Sequence, residues 1–141
     1  MQRPKSLKII LIIYLILFSK ICIAYENNTK WISILASKDT EDFIDQNSIT
    51  RTQENLFATS LLNYRKKIHV YGGDIRSIKV QERYYCREKV YDILELTSYS
   101  GEMATGKILQ KTIVNNDALQ INDGSPAEAK LNYLCNKIPN R

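Results

Sequence analysis

His69 is the single histidine of the chain, so any serine or cysteine nucleophile activated by an imidazole would have to use it. It stands in Lys67-Ile68-His69-Val70-Tyr71, strand-like sequence just before a glycine turn, where an ordinary strand histidine is expected rather than a base. Glu41, Asp42 and Asp45 could in principle trade protons with a substrate, but acids grouped at a turn usually form a solvated face. Gly72-Gly73 and the Gly101…Gly106 pair match no phosphate-cradling loop. Arg65-Lys66-Lys67 is the one local cationic run, with Arg83, Arg87 and Lys89 a second group. If the strands around Gly72-Gly73 form a hairpin, Arg65 and Arg83 could approach each other across it and face an acidic ligand. The plainer reading is a solvated strand edge whose lysines discourage aggregation.

The whole chain carries 141 residues, a formal net charge of +5, a pI near 9.1 and three cysteines. Much of that excess belongs to the first 24 residues, which read as a secretory signal peptide. Arg3, Lys5 and Lys8 form a positive start, Ile9 to Phe18 an unbroken apolar run, and Cys22 and Ala24 the small residues a signal peptidase reads. The run is shorter than the ~20 residues that span a bilayer, and Lys20 interrupts its far end, so cleavage before Tyr25 is expected over retention as an anchor. Ile21 ahead of Cys22 disfavours lipidation of that cysteine. Removing the leader's four cations leaves 16 Lys and Arg against 15 Asp and Glu in residues 25–141, a net of +1. That balance gives no electrostatic footprint for nucleic acid. Membrane contact is expected only through the leader before cleavage.

The elements that must position these side chains are short strands with turn signals between them. Strands are expected at 31–36, briefly at Phe43-Ile44, along 56–71 as one bent strand, at 75–86, at 90–99 and at 107–114. Gly72-Gly73-Asp74 supplies the tight turn of the central hairpin. Short connections imply antiparallel pairing. The period then changes: Ser125-Pro126-Ala127-Glu128 reads as a capped helix start. Ala127, Leu131, Leu134, Cys135 and Ile138 follow as one helical stripe, stopped by Pro139. Of Tyr84 and Tyr85, one should pack inside the sheet and one outside. Tyrosines at 84, 85, 91 and 99 could serve an interface, although sheet formation is their default role.

Two cysteines remain after export. Cys86 shares a strand face with Ile78, Val80 and Tyr84, interrupted by Glu82, and Cys135 lies on the helical stripe. A bond between them would pin the helix to the sheet, and export favours that over two buried thiols. With both cysteines so engaged and one histidine, metal-ligand spacing is absent. No metal or other cofactor is expected.

An ordered series of small motifs resembles the surface-adhesin protein E family of Gram-negative bacteria. It consists of Trp31-x-x-Ile34, Ile44-Asp45 with Ser48-Ile49, Leu61-x-Asn63-Tyr64, Arg76-Ser77-x-Lys79 leading to Cys86, then Tyr99-Ser100, Met103 and Gly106, and finally Ser125 through Cys135. The resemblance covers about residues 31–136. It implies an α+β fold, a small antiparallel sheet of about six strands with a C-terminal helix tethered across one face by a disulfide. It also implies a non-enzymatic exported protein, in a family whose name-giving member binds vitronectin, laminin and plasminogen and can dimerise. Thr59 stands where the family would have Trp, and a lipobox is missing. The expected function is therefore a binding module for a host matrix or serum protein, with a second copy of the chain as a further partner and Arg65, Lys66 and Lys67 as the ligand-facing group. The alternative is a structural or accessory protein of the periplasm.

Overall fold

The structure is a computed structural model that describes residues 29–115 and 117–137. The expected leader at residues 1–24, Ile138 and Pro139 lie outside the described residues. The chain forms one antiparallel sheet of β1 (Trp31–Ala36), β2 (Thr40–Asp45), β3 (Thr50–Arg51), β4 (Leu56–Val70), β5 (Gly73–Tyr85), β6 (Val90–Tyr99), β7 (Ile108–Ile113) and β8 (Leu119–Gln120), followed by α1 (Pro126–Lys137). The strand order is β1-β2-β4-β5-β6-β7, with β3 beside β4 and β8 beside β6. The α+β fold with its C-terminal helix is as expected. Two-residue strands β3 and β8 were not legible, being too short to show any alternation.

Register assigns the faces. Leu56 opposes Tyr84, Ala58 opposes Glu82 and Ser60 opposes Val80, so these residues share one side of the sheet, together with Ile44 and Asp42 of β2. Ile44, Leu56, Ala58 and Tyr84 on that side form the main core with Leu131 and Leu134 of α1. Each large side chain so buried stabilises the fold by about 1.5–3 kcal/mol. Tyr84 stacks on Tyr91 of β6 with ring centroids 5.6 Å apart, while Tyr85 turns to the opposite side. The helix therefore covers one face, while the other buries Leu61 and Tyr99 beside its polar pairs.

The start of α1 shows why the sequence folds there. The Ser125 hydroxyl accepts from the Glu128 amide at 3.2 Å, and Glu128 Oε2 accepts from the Gly124 amide at 2.6 Å. This differs by one residue from the expected capping box, in which Glu128 would reach the Ser125 amide. That amide instead donates to the Asn122 carbonyl. Cys86 and Cys135 are joined, with Cα atoms 5.9 Å apart, closing a loop of 49 residues in sequence.

The central hairpin is built differently from expectation. Val70 pairs with Gly73, so the turn is Tyr71-Gly72, one residue earlier than Gly72-Gly73-Asp74. Gly72 takes a φ of 111°, a backbone conformation that favours glycine, and this shift places Tyr71 at the apex. The bend in β4 is a large irregular bulge: Asn63 opposes Ser77, yet the next pair is Ile68 with Ile75. Tyr64–Lys67 thus face Arg76 alone.

Candidate binding surface

Arg65, Lys66 and Lys67 occupy that bulge, so they form neither a regular strand nor a free edge. Tyr64 still pairs with Thr40 of β2, and the Arg65 amide donates to the Asp39 carbonyl at 2.9 Å. Arg65 Nε donates to the Ser37 carbonyl at 3.2 Å. Here β4 follows β2 before rejoining β5, which fixes Arg65 against the β1–β2 turn and leaves Lys66 exposed. Lys67 pairs with Asp74 at 3.5 Å, and His69 Nδ1 meets the same carboxylate at 2.5 Å.

Arg83 does not join this group. Register sets it opposite Phe57, at the far end of the hairpin from Arg65, because Leu56 against Tyr84 fixes the pairing. Its guanidinium pairs with Asp92, lies over the Tyr85 ring at 5.3 Å from the centroid, and so belongs to a closed polar knot. The hydrogen bond to Asp92 holds Arg83 above its ordinary pKa. Burial, and then its own bond to Asp92, raises Tyr85. The same sheet face carries Lys79 over the Tyr99 ring and an ion pair of Lys111 with Glu95 at 3.0 Å.

The three acids at the start of the chain do not converge. Asp42 is buried under α1, Glu41 accepts from Ser33 on the other face, and Asp45 caps the turn through the Lys30 and Asn47 amides. His69, whose side chain is 84% exposed, stands at the hairpin ribbon. His69 meets Asp74 in the open, and Glu41, Asp42 and Asp45 lie apart from that pair. Among the described residues, no three His, Cys, Asp or Glu side chains gather as a metal site would need.

Sequence reasoning passed over two features. The first is a buried ion pair between Lys130 of α1 and Glu82 of β5 at 2.6 Å, with the Lys130 ammonium 3.4 Å from the Ser60 hydroxyl. Asp42 shares this pocket of charge; burial raises its pKa, Lys130 lowers it and Glu82 raises it. Burial also pushes Tyr84 well above the ordinary tyrosine range, with Glu82 adding to it. The signal was Glu82 breaking an apolar face while Lys130 fell beside Leu131 and Leu134. The second is the loop 100–106. Asn63 accepts from the Met103 amide, and Ser77 accepts from the Ala104 amide while donating to the Gly101 carbonyl. Met103 and Ala104 have φ of 53° and 58°, so two side chains of the sheet hold a left-handed loop against its helix-free face.

The sequence pattern of the family described as surface-adhesin protein E matches residues 31–136. The chain belongs to that family. Crystal form II of Haemophilus influenzae protein E matches with a TM-score of 0.60 and 16% identity, covering 76% of this chain and 87% of that one. A second structure of Haemophilus influenzae protein E gives 0.58 and 16%, covering 76% and 84%. Protein E from non-typeable Haemophilus influenzae gives 0.56 and 15%, covering 75% of each chain. At such identities these structures establish the fold. Among curated proteins, none matches the chain. The surface-adhesin protein E family is named for adhesion and is not an enzyme class. Among the described residues, no helix is long and apolar enough to cross a membrane, which is silent on strands.

Proposed function

We propose that the protein is an exported adhesive module that binds a host matrix or serum protein of the vitronectin, laminin or plasminogen class without catalysing a reaction. The family match over residues 31–136 carries this reading. In it, residues 1–24 are removed as a signal peptide and residues 25–141 act as the binding domain, in the periplasm or at the cell surface. The partner meets the helix-free side of the sheet around the loop 100–106, with Arg65, Lys66 and Lys67 supplying positive charge at its end. Of these, Lys66 and Lys67 reach the ligand, while Arg65 holds the bulge to the Ser37 carbonyl. A second copy of the chain is the other partner, along β7, which ends the strand order and exposes Ile108 and Ile113.

The test uses intact cells carrying the full chain. Protease added outside should remove it, and the cells should adhere to matrix-coated wells more than cells lacking it. A chain confined to the periplasmic fraction and untouched by external protease would replace this reading with that of a periplasmic accessory protein.

A further inference from the structure

The central hairpin outruns its neighbours. β2 last pairs with β4 at Tyr64, and β6 last pairs with β5 at Ser77, so the pairs Ile68–Ile75, His69–Asp74 and Val70–Gly73 form a two-stranded ribbon beyond the sheet. Its apex is apolar and open. Tyr71 is fully exposed, Val70 is 43% exposed, and Ile108 at the start of β7 is 60% exposed. Leu109 draws these together: its side chain lies 3.2 Å from where a Cβ on Gly73 would stand, so the ribbon leans on β7.

Behind the apolar apex lies a collar of charge. Arg65, Lys66, Lys67, Arg76 and Lys107 outnumber Asp74 and Glu102 here, an excess of three cations in a mature chain expected to carry +1 in all. Arg76 is held by Glu102 and Lys67 by Asp74, which leaves Lys66 and Lys107 exposed and outward-facing. The remainder of the domain is therefore net acidic, and the molecule carries its positive pole where its exposed apolar side chains are.

We infer that this end of the molecule docks on an anionic lipid surface, with Tyr71 and Val70 entering the interfacial layer and Lys66 and Lys107 meeting the phosphates. Tyrosine suits that layer because its ring is apolar and its hydroxyl remains hydrated. Lysines set behind it add electrostatic attraction to anionic headgroups. An acidic protein seated on the apex alone, away from the helix-free side of the sheet, fits less well. The apex is convex and offers only a few apolar side chains, well short of the ~800 Å² per partner of a stable protein interface. The lipid surface shares Lys66 with the proposed protein site but does not rest on it, since Tyr71, Val70 and Lys107 belong to the lipid surface alone and vesicle partition is read without a protein ligand.

The test is partition of the mature chain between solution and sedimented vesicles, either phosphatidylcholine alone or with about one-third phosphatidylglycerol. Binding should require the anionic lipid and weaken with salt. Tyr71→Ser alone, and Lys66→Glu with Lys107→Glu, should each reduce partition by about tenfold or more. Arg87→Glu with Lys89→Glu, which makes the same charge change in the exposed β5–β6 turn, should change it far less. A Tyr71→Trp variant should shift its fluorescence to the blue on anionic vesicles, and this direct readout is independent of partition. Equal binding to both vesicle types, or binding indifferent to Tyr71, overturns the proposal. Retention on polyglutamate without vesicle binding also overturns it and assigns this end to an acidic protein.

Discussion

Lys130 has the most to lose from substitution, since its ammonium compensates a carboxylate that is otherwise sealed under the helix. Lys130→Met should leave Glu82 buried without its cation and cost about 3–5 kcal/mol in urea unfolding. Adding Glu82→Leu should recover most of that loss, because an apolar pair of similar volume needs no compensation. A double variant as unstable as the single one would mean that packing of the Lys130 stem, not charge, is what matters. Asp42 gives the pH signature. Burial raises its pKa in the folded state, so folding is favoured most below the ordinary carboxylate pKa, and that contribution fades as pH rises through the raised value. Asp42→Asn should therefore gain stability relative to the parent at neutral pH, and the gap should narrow in thermal melts as the solution is acidified. At this scale the sequence was only partly readable. Glu82 stood out as an exception on its strand face, but its partner lies 48 residues away, and no local pattern links them.

The helix and its tether are the elements that decide whether the sheet keeps one face closed. Cys135→Ser with Cys86→Ser should lower stability by about 4 kcal/mol, the chain-entropy value for a loop of 49 residues, measured in denaturant against the oxidised parent. A loss confined to α1 contacts, with the sheet's exchange protection intact, would show that helix docking and sheet formation are separable. At the hairpin, Gly72→Val should weaken the ribbon by about 1 kcal/mol, since φ of 111° excludes a branched side chain even though nothing crowds the site. Hydrogen exchange of residues 68–75 would register it. Elements were the most legible scale. The strand at 90–99 and the helix beginning at Pro126 stand where alternation and capping put them. The bulge at Tyr64–Lys67 could not be read, because it lies where β4 leaves its paired neighbours on both sides, and that point is set by the ends of β2 and β5 rather than by residues 64–67 themselves. Arg65 and Arg83 lie at opposite ends of the hairpin for a simpler reason: even an unbroken register from Val70–Gly73 would set Arg65 opposite Ile78, five residues short of Arg83.

At the scale of the whole molecule, three surfaces divide the work. The helix closes one face over the main core, paired charges and the loop 100–106 dress the other, and the ribbon end carries the basic collar. The chain's net charge concealed this arrangement. Its excess is divided between residues 1–24 and one end of the described domain, and only the three-dimensional placement of Lys66, Arg76 and Lys107 shows the pole. The family was legible from its ordered motifs, since these residues are the ones that hold the fold: Asn63 and Ser77 fasten the loop, and Cys86 with Cys135 fastens the helix. What the partner is does not follow from such residues, because fold-holding positions and ligand-facing positions are different sets. The central claim is adhesion to a host protein through the helix-free side and its cationic end. Its most direct measurement is solid-phase binding of the mature, oxidised domain to immobilised matrix and serum proteins, beside a variant carrying Lys66→Glu and Lys67→Glu. Saturable, salt-weakened binding that falls about tenfold in the variant is the predicted result. Binding no greater than that of a charge-matched control protein, or binding unchanged by the two substitutions, would contradict it.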